Sequence, residues 1–200
     1  MNKPVFTDRL PLKAFLTDDP LRARMLAAHH LEYSELIYEQ GDVLIYSGSY
    51  NDTPLAVISA GFGSGEVLPV LEMIGNLGTK KVIYISACVS TTARYGLRTV
   101  VLAKGGSDDL QSCAQAAAAQ YDITVITETV QPPGSDNAEG GITDVVTGVL
   151  YETARTENIK ALSVLTVSEN KVTGEKMEEH EVRSRFYAAS RLTFETAVLM

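Results

Sequence analysis

The chain has 200 residues, with 17 Lys+Arg against 25 Asp+Glu and a formal charge of −8, an acid excess that argues against nucleic acid or an anionic membrane surface as the partner. With 45% hydrophobic and 21% charged residues it is apolar enough to pack a core, and a single domain over residues 1–200 is expected on the usual scale of roughly 100–200 residues per domain. No apolar run reaches the ~18 residues of a membrane span and MNKPVFTDRLPLK lacks the apolar centre of a secretory signal, so a cytoplasmic protein is expected. Cys88 and Cys113 form no CxxC and have no nearby histidine. That argues against a disulfide framework and a zinc site, and both thiols are expected in the core.

Short β-branched apolar runs alternate with helical patterns, which predicts an α/β fold with a sheet covered on both faces. Asp18, Asp19 and Pro20 supply a cap and an early proline for a first helix beginning near residue 19. Asn51-Asp52 separates DVLIYSGSY from TPLAVISA as a hairpin turn. Val67, Leu68, Val70, Leu71, Ile74 and Leu77 recur at helical spacing up to Gly78. KKVIYISA and TVVLA read as strands, DDLQSCAQAAAAQ as a helix and DITVITET as a strand. QPPGSDNAEGG reads as a surface loop. After it, ITDVVTGVLYETARTE is expected as helix, ALSVLTVS as strand and EKMEEHEVRSRFYAASRLTFETA as one long closing helix.

In an open α/β sheet, ligands bind beyond the carboxyl ends of the strands. Four junctions qualify: Asp18 to Arg22, Ala60-Gly61-Phe62-Gly63-Ser64-Gly65-Glu66, the strand end Tyr84 to Val89, and Thr166 to Asn170. Each also has an ordinary reading. Glycines at a strand-to-helix turn often serve close packing, Arg22 is by default a solvated cation, and Glu169 with Asn170 can simply close a strand.

The order of these segments adds to the argument. DDPLRARMLA, GSYNDTPLAVISAGFGSG, LGTKKVIYISACVS and ITDVVTGVLYETARTENIKALSVLTVSENKVTGE together resemble the trimeric-or-hexameric nucleoside phosphorylase family, most closely its bacterial-type purine branch, over about residues 16 to 197. The resemblance implies a three-layer α/β/α sandwich around a mixed, partly closed sheet. It implies reversible transfer of ribose from a nucleoside to inorganic phosphate, without metal or organic cofactor. It further implies a dimer-based homo-oligomer, up to a hexamer, or a hetero-oligomer with a paralogue.

Ribosyl transfer passes through a cationic sugar, so the site must hold phosphate, grip the sugar hydroxyls and assist the departing base. By resemblance, Arg22 and Gly63 fall at the phosphate and Glu169 at the catalytic acid. Phe62, Ala87, Cys88, Asp144, Val145, Val146 and Ser168 frame the base and ribose pocket. The chain departs from the family pattern at several of these positions. Asp18 stands for the phosphate-binding glycine, and a carboxylate there repels a dianion by about 3–4 kcal/mol for two unit charges 4–5 Å apart at a dielectric near 20. Tyr84 stands for the second phosphate arginine, removing one guanidinium fork. Val146 stands for the ribose glutamate and cannot accept the sugar hydroxyls. Val182 stands for the arginine behind the catalytic acid, with Arg183 adjacent. Val5 lies where a neighbouring subunit would contribute a histidine, and the stretch from Val130 to Ile142 is shorter than the family's. Three readings follow: a divergent phosphorylase of purine or other nucleosides in nucleoside salvage, a non-catalytic relative that binds a ligand or partner subunit, and a nucleosidase in which water replaces phosphate.

Overall fold

A computed structural model describes residues 9–134, 141–184 and 186–200. Val5 and residues 135–140 of the expected loop lie outside the described residues. The centre of the molecule is four parallel neighbours in the order β4 (Thr53–Ser59), β1 (Lys13–Thr17), β5 (Lys81–Ser90) and β10 (Lys160–Asn170). On one side the sheet continues antiparallel through β3 (Val43–Tyr50) to β2 (Glu32–Gln40). On the other, β6 (Val100–Ala103) runs antiparallel to β10 and β7 (Val125–Glu128) runs parallel to β6. Two short strands, β8 (Val130–Gln131) and β9 (Ile142–Thr143), branch from the end of β5.

Because the parallel strands carry apolar side chains on both faces, each face needs its own cover. Val82, Tyr84 and Cys88 of β5 belong to the core formed with α2 (Ser64–Asn76) and α4 (Thr147–Thr156). Ile83 and Ile85 belong to the opposite core, with α1 (Pro20–His30), α3 (Asp108–Gln120) and α6 (Tyr187–Leu199). The result is the three-layer α/β sandwich with a mixed sheet that the sequence led us to expect.

Local chemistry sets the joints. Asp19 caps α1 by accepting the Leu21 N–H at 2.8 Å, with Pro20 opening the helix. Asn51 and Asp52 take φ of 46° and 60°, the two left-handed residues of a tight hairpin turn between β3 and β4.

Three expectations need correcting. Residues 142–157 are not all helix: Ile142 and Thr143 pair with Ser90 and Val89 of β5. α4 begins at Thr147 because the Asp144 carboxylate accepts the N–H groups of Val146 at 3.1 Å and Thr147 at 2.7 Å. The closing helix is divided into α5 (Glu179–Ser184) and α6, since buried Phe186 takes φ −96° and ψ 55°, outside the helical region. Cys88 is buried, but Cys113 is only half-buried, its thiol donating to the Leu199 carbonyl at 3.4 Å.

The α6 side of the core is keyed by Phe194, fully buried, which meets Phe15 edge-on at 4.7 Å and stacks on His30 at 4.4 Å. Replacing it (Phe194→Ala) is expected to cost about 3–5 kcal/mol of unfolding free energy, measured by urea denaturation. A loss under about 1 kcal/mol, the level of an ordinary surface change, would contradict this packing.

Candidate functional site

The four parallel strands end on one side of the molecule, and all four sequence-selected junctions lie there. β1 ends in Thr17, and the next residue, Asp18, starts the turn into α1. One turn along α1, Arg22 is buried with 5% of its surface exposed. Its Nη1 donates to Asp18 Oδ1 at 2.6 Å and to Thr17 Oγ1 at 2.9 Å, and its Nη2 donates to the Val182 carbonyl at 2.9 Å. The guanidinium also lies over the Phe186 ring, 4.5 Å from its centroid. On the opposite side, Ser86 Oγ donates to Asp18 Oδ2 at 2.8 Å. Asp18 therefore spans two donors, one oxygen on each, as a small bound anion would.

The neighbouring groups add no positive charge. Tyr84 and Ser86 alternate along β5, and Tyr84 is completely buried with its hydroxyl lacking a hydrogen-bond partner among the described residues. Burial holds that phenol far above its ordinary pKa, and the nearby Asp18 and Asp144 carboxylates push it further. Cys88, next on the same face, is likewise kept as a thiol by burial and by Asp144. Asp144 has its own carboxyl raised by burial, against the pull of its Thr147 and Val146 hydrogen bonds, and Asp18 adds to the rise. Asp18, Tyr84, Ser86, Cys88 and Asp144 thus form one cluster at the strand ends, in which Arg22 is already paired.

The other expected residues lie around this cluster. Val146 is fully buried at the start of α4, while Val145 is exposed. Gly63, with φ 108°, caps α2, and a side chain there would meet nothing within 4 Å; the adjacent Phe62 is 58% exposed. Ala87 packs against the α1 side core. Ser168 Oγ donates to the Cys88 carbonyl at 3.3 Å, beside a break in register between β10 and β5.

Glu169 is engaged separately. Its carboxylate pairs with Lys171 at 2.6 Å and Lys176 at 3.6 Å. The hydrogen bond from Lys171, then the charges of both lysines, holds the carboxyl below its ordinary 4.5. Arg183 does not support it: Arg183 Nε donates to Asp19 Oδ2 at 2.8 Å, tying α5 to the α1 cap. The lysine pair was not anticipated from sequence. Its signal was present in the lysines two and seven residues after Glu169, but Lys176 reaches back through an isolated bridge to Glu169 that no periodicity announces. Among the described residues no group of His, Cys, Asp and Glu is arranged to hold a metal ion, and no helix is long and apolar enough to cross a membrane.

The Lys171 and Lys176 contacts carry a sign that can be checked. The Glu169 carboxyl titrates below 4.5 in the folded chain, so its stabilisation is complete above that value and is lost as pH falls through the folded value. The natural chain should unfold at higher urea than Glu169→Gln at about pH 6, and the difference should shrink as pH falls below 4.5 and the folded-state carboxyl takes up its proton. A difference that does not change with pH would contradict the ion-pair account.

No family model matches the chain. Curated proteins named purine nucleoside phosphorylase DeoD-type match along most of its length. The one from Chromobacterium violaceum is 26% identical over 213 aligned positions, covering 90% of this chain and 90% of the relative. That of Shewanella loihica is 25% identical, covering 91% of each, and that of Geobacillus sp. strain WCH70 is 27% identical, covering 93% of each. Sequence matches at 25–27% identity over about 90% of its length make the chain a distant relative of the nucleoside phosphorylases.

Proposed function

We propose that the chain is a nucleoside-phosphorylase-like protein that takes a purine nucleoside or its free base at the strand ends and does not phosphorolyse it. One observation carries this reading: the Asp18 carboxylate lies between Arg22 and Ser86, the donors that an incoming phosphate would need. With Tyr84 neutral and Arg22 matched by Asp18, the cluster offers a dianion no net positive charge, whereas a phosphate site works by concentrating it. The state of Glu169 agrees. A carboxyl held ionised by two lysines is a weak proton donor to a departing base, and Val146 cannot accept the sugar hydroxyls. The reading calls for no metal or organic cofactor. It retains an oligomer in which a second copy or a paralogue supplies the missing sugar contacts.

The second reading is turnover, with phosphate displacing Asp18 from Arg22. The relatives' name favours it, together with Arg22 at the head of α1. Free base released from inosine, adenosine, guanosine and uridine separates the two: the first reading expects none with or without phosphate. Phosphate-dependent release establishes a phosphorylase, and release without phosphate a nucleosidase.

Asp18→Gly probes the carrying observation without relying on turnover. Removing the part-buried carboxylate that compensates the buried Arg22 guanidinium should destabilise the chain by about 2–3 kcal/mol, and phosphate should restore about 2.7 kcal/mol at 100 times its dissociation constant. The natural chain should show no such rescue. Equal phosphate stabilisation of both proteins would sink the proposal.

A further inference from the structure

The opposite end of the same strands has a different character. Lys13, Lys81 and Lys160 open β1, β5 and β10, and they are register partners across the three strands. Adjacent strands lie about 4.8 Å apart, so the three residues sit in one row across about 10 Å. Lys80 precedes Lys81, and Arg155 stands in the last turn of α4. Lys80, Lys81, Arg155 and Lys160 all line one open cavity of about 500 Å³ floored by Ala154 and Ile159, within the size range of small-molecule sites.

Little in the chain neutralises this row. Lys160 pairs with Asp109 at 2.6 Å, Arg155 donates to the Gly105 carbonyl at 3.1 Å, and Lys13 donates to the Ala197 carbonyl at 2.7 Å. The Lys80 and Lys81 ammonium groups have no anionic partner among the described residues. Crowding five of only 17 basic residues on one rim of a chain with charge −8 raises repulsion that dispersal would avoid. Burial, then the charge of Lys81, lowers the pKa of Lys13, a sign that the repulsion is felt. A ligand that repays it must bring several negative charges and several acceptor oxygens. Lysine ammoniums are point donors and Arg155 is a fork, a combination suited to linked phosphoryl groups more than to one carboxylate.

We propose that the cavity at the amino ends of β5 and β10, lined by Lys80, Lys81, Arg155 and Lys160, binds a soluble compound carrying linked phosphoryl groups. The eleven residues of β10 put this cavity about 30 Å from Glu169 and the strand-end cluster, so its occupancy is independent of the reading given for that cluster.

Calorimetric titration of the full chain with inorganic tripolyphosphate tests it. Binding is expected at low salt, weakening as salt rises and the Debye length shrinks from about 30 Å at 0.01 M to about 10 Å at 0.1 M. Lys80→Glu with Lys81→Glu should weaken binding by about 100-fold or more, whereas Arg24→Glu with Arg94→Glu, the same change of net charge at the other end of the molecule, should shift it by less than about threefold. Arg155→Gln, expected to weaken binding about tenfold through loss of one charged fork, gives the same test if the double reversal fails to fold. Equal weakening by the two double reversals would mean attraction to net charge alone and would overturn the proposal. So would an absence of binding at low salt.

Discussion

The ion pair between Asp18 and Arg22 joins five separate parts of the described chain. Through it the end of β1, the first turn of α1, Ser86 on β5, the carbonyl of Val182 on α5 and the ring of Phe186 before α6 meet at one point. The charge of Arg22, a residue with 5% of its surface exposed, cannot stand there uncompensated, because the cost of taking it out of water is several kcal/mol. A bound anion would supply the compensation from outside. In this chain a carboxylate four residues earlier supplies the countercharge from within, while the buried Nε of Arg22 has no hydrogen-bond partner among the described residues.

The charges around the pair then follow a consistent pattern. Tyr84 brings a hydroxyl where a second cation would have left an excess of positive charge, and burial keeps that hydroxyl neutral. Asp144 spends its carboxylate on the first N–H groups of α4, so the helix start is satisfied locally. Glu169 is neutralised by Lys171 and Lys176. Asp18, Asp144 and Glu169 have each found a partner within the chain. Relatives 25–27% identical over about 90% of the length are named purine nucleoside phosphorylase DeoD-type.

Much of the fold was legible because it rests on patterns with a fixed period. The runs in β5 and β10 are too apolar to have a wet face, and the turn at Asn51-Asp52 names its own geometry. β1 escaped because KAFLT is only five residues long and its burial depends on β4 and β5, which are distant in sequence. The break before α6 escaped because helical spacing in residues 175–197 cannot register that Phe186 must turn beneath Arg22. Of the candidate site, the sequence disclosed that Asp18 and Arg22 would be close and that their charges would matter. It could not disclose that Ser86, 68 residues on, completes a seat for the Asp18 carboxylate, nor that Arg183 would face Asp19 and leave Glu169 to the lysines. Such pairings are set by crossovers between strands, which one-dimensional spacing does not encode.

The claim at the centre of this account is that Asp18 stands in for an external anion. A crystal structure of the natural chain grown in phosphate tests it most directly. The account predicts Asp18 between Arg22 and Ser86 with no phosphate on either. Phosphate bound to Arg22, with the Asp18 carboxylate rotated away, would contradict it and return the chain to the phosphorylases in activity as well as in fold.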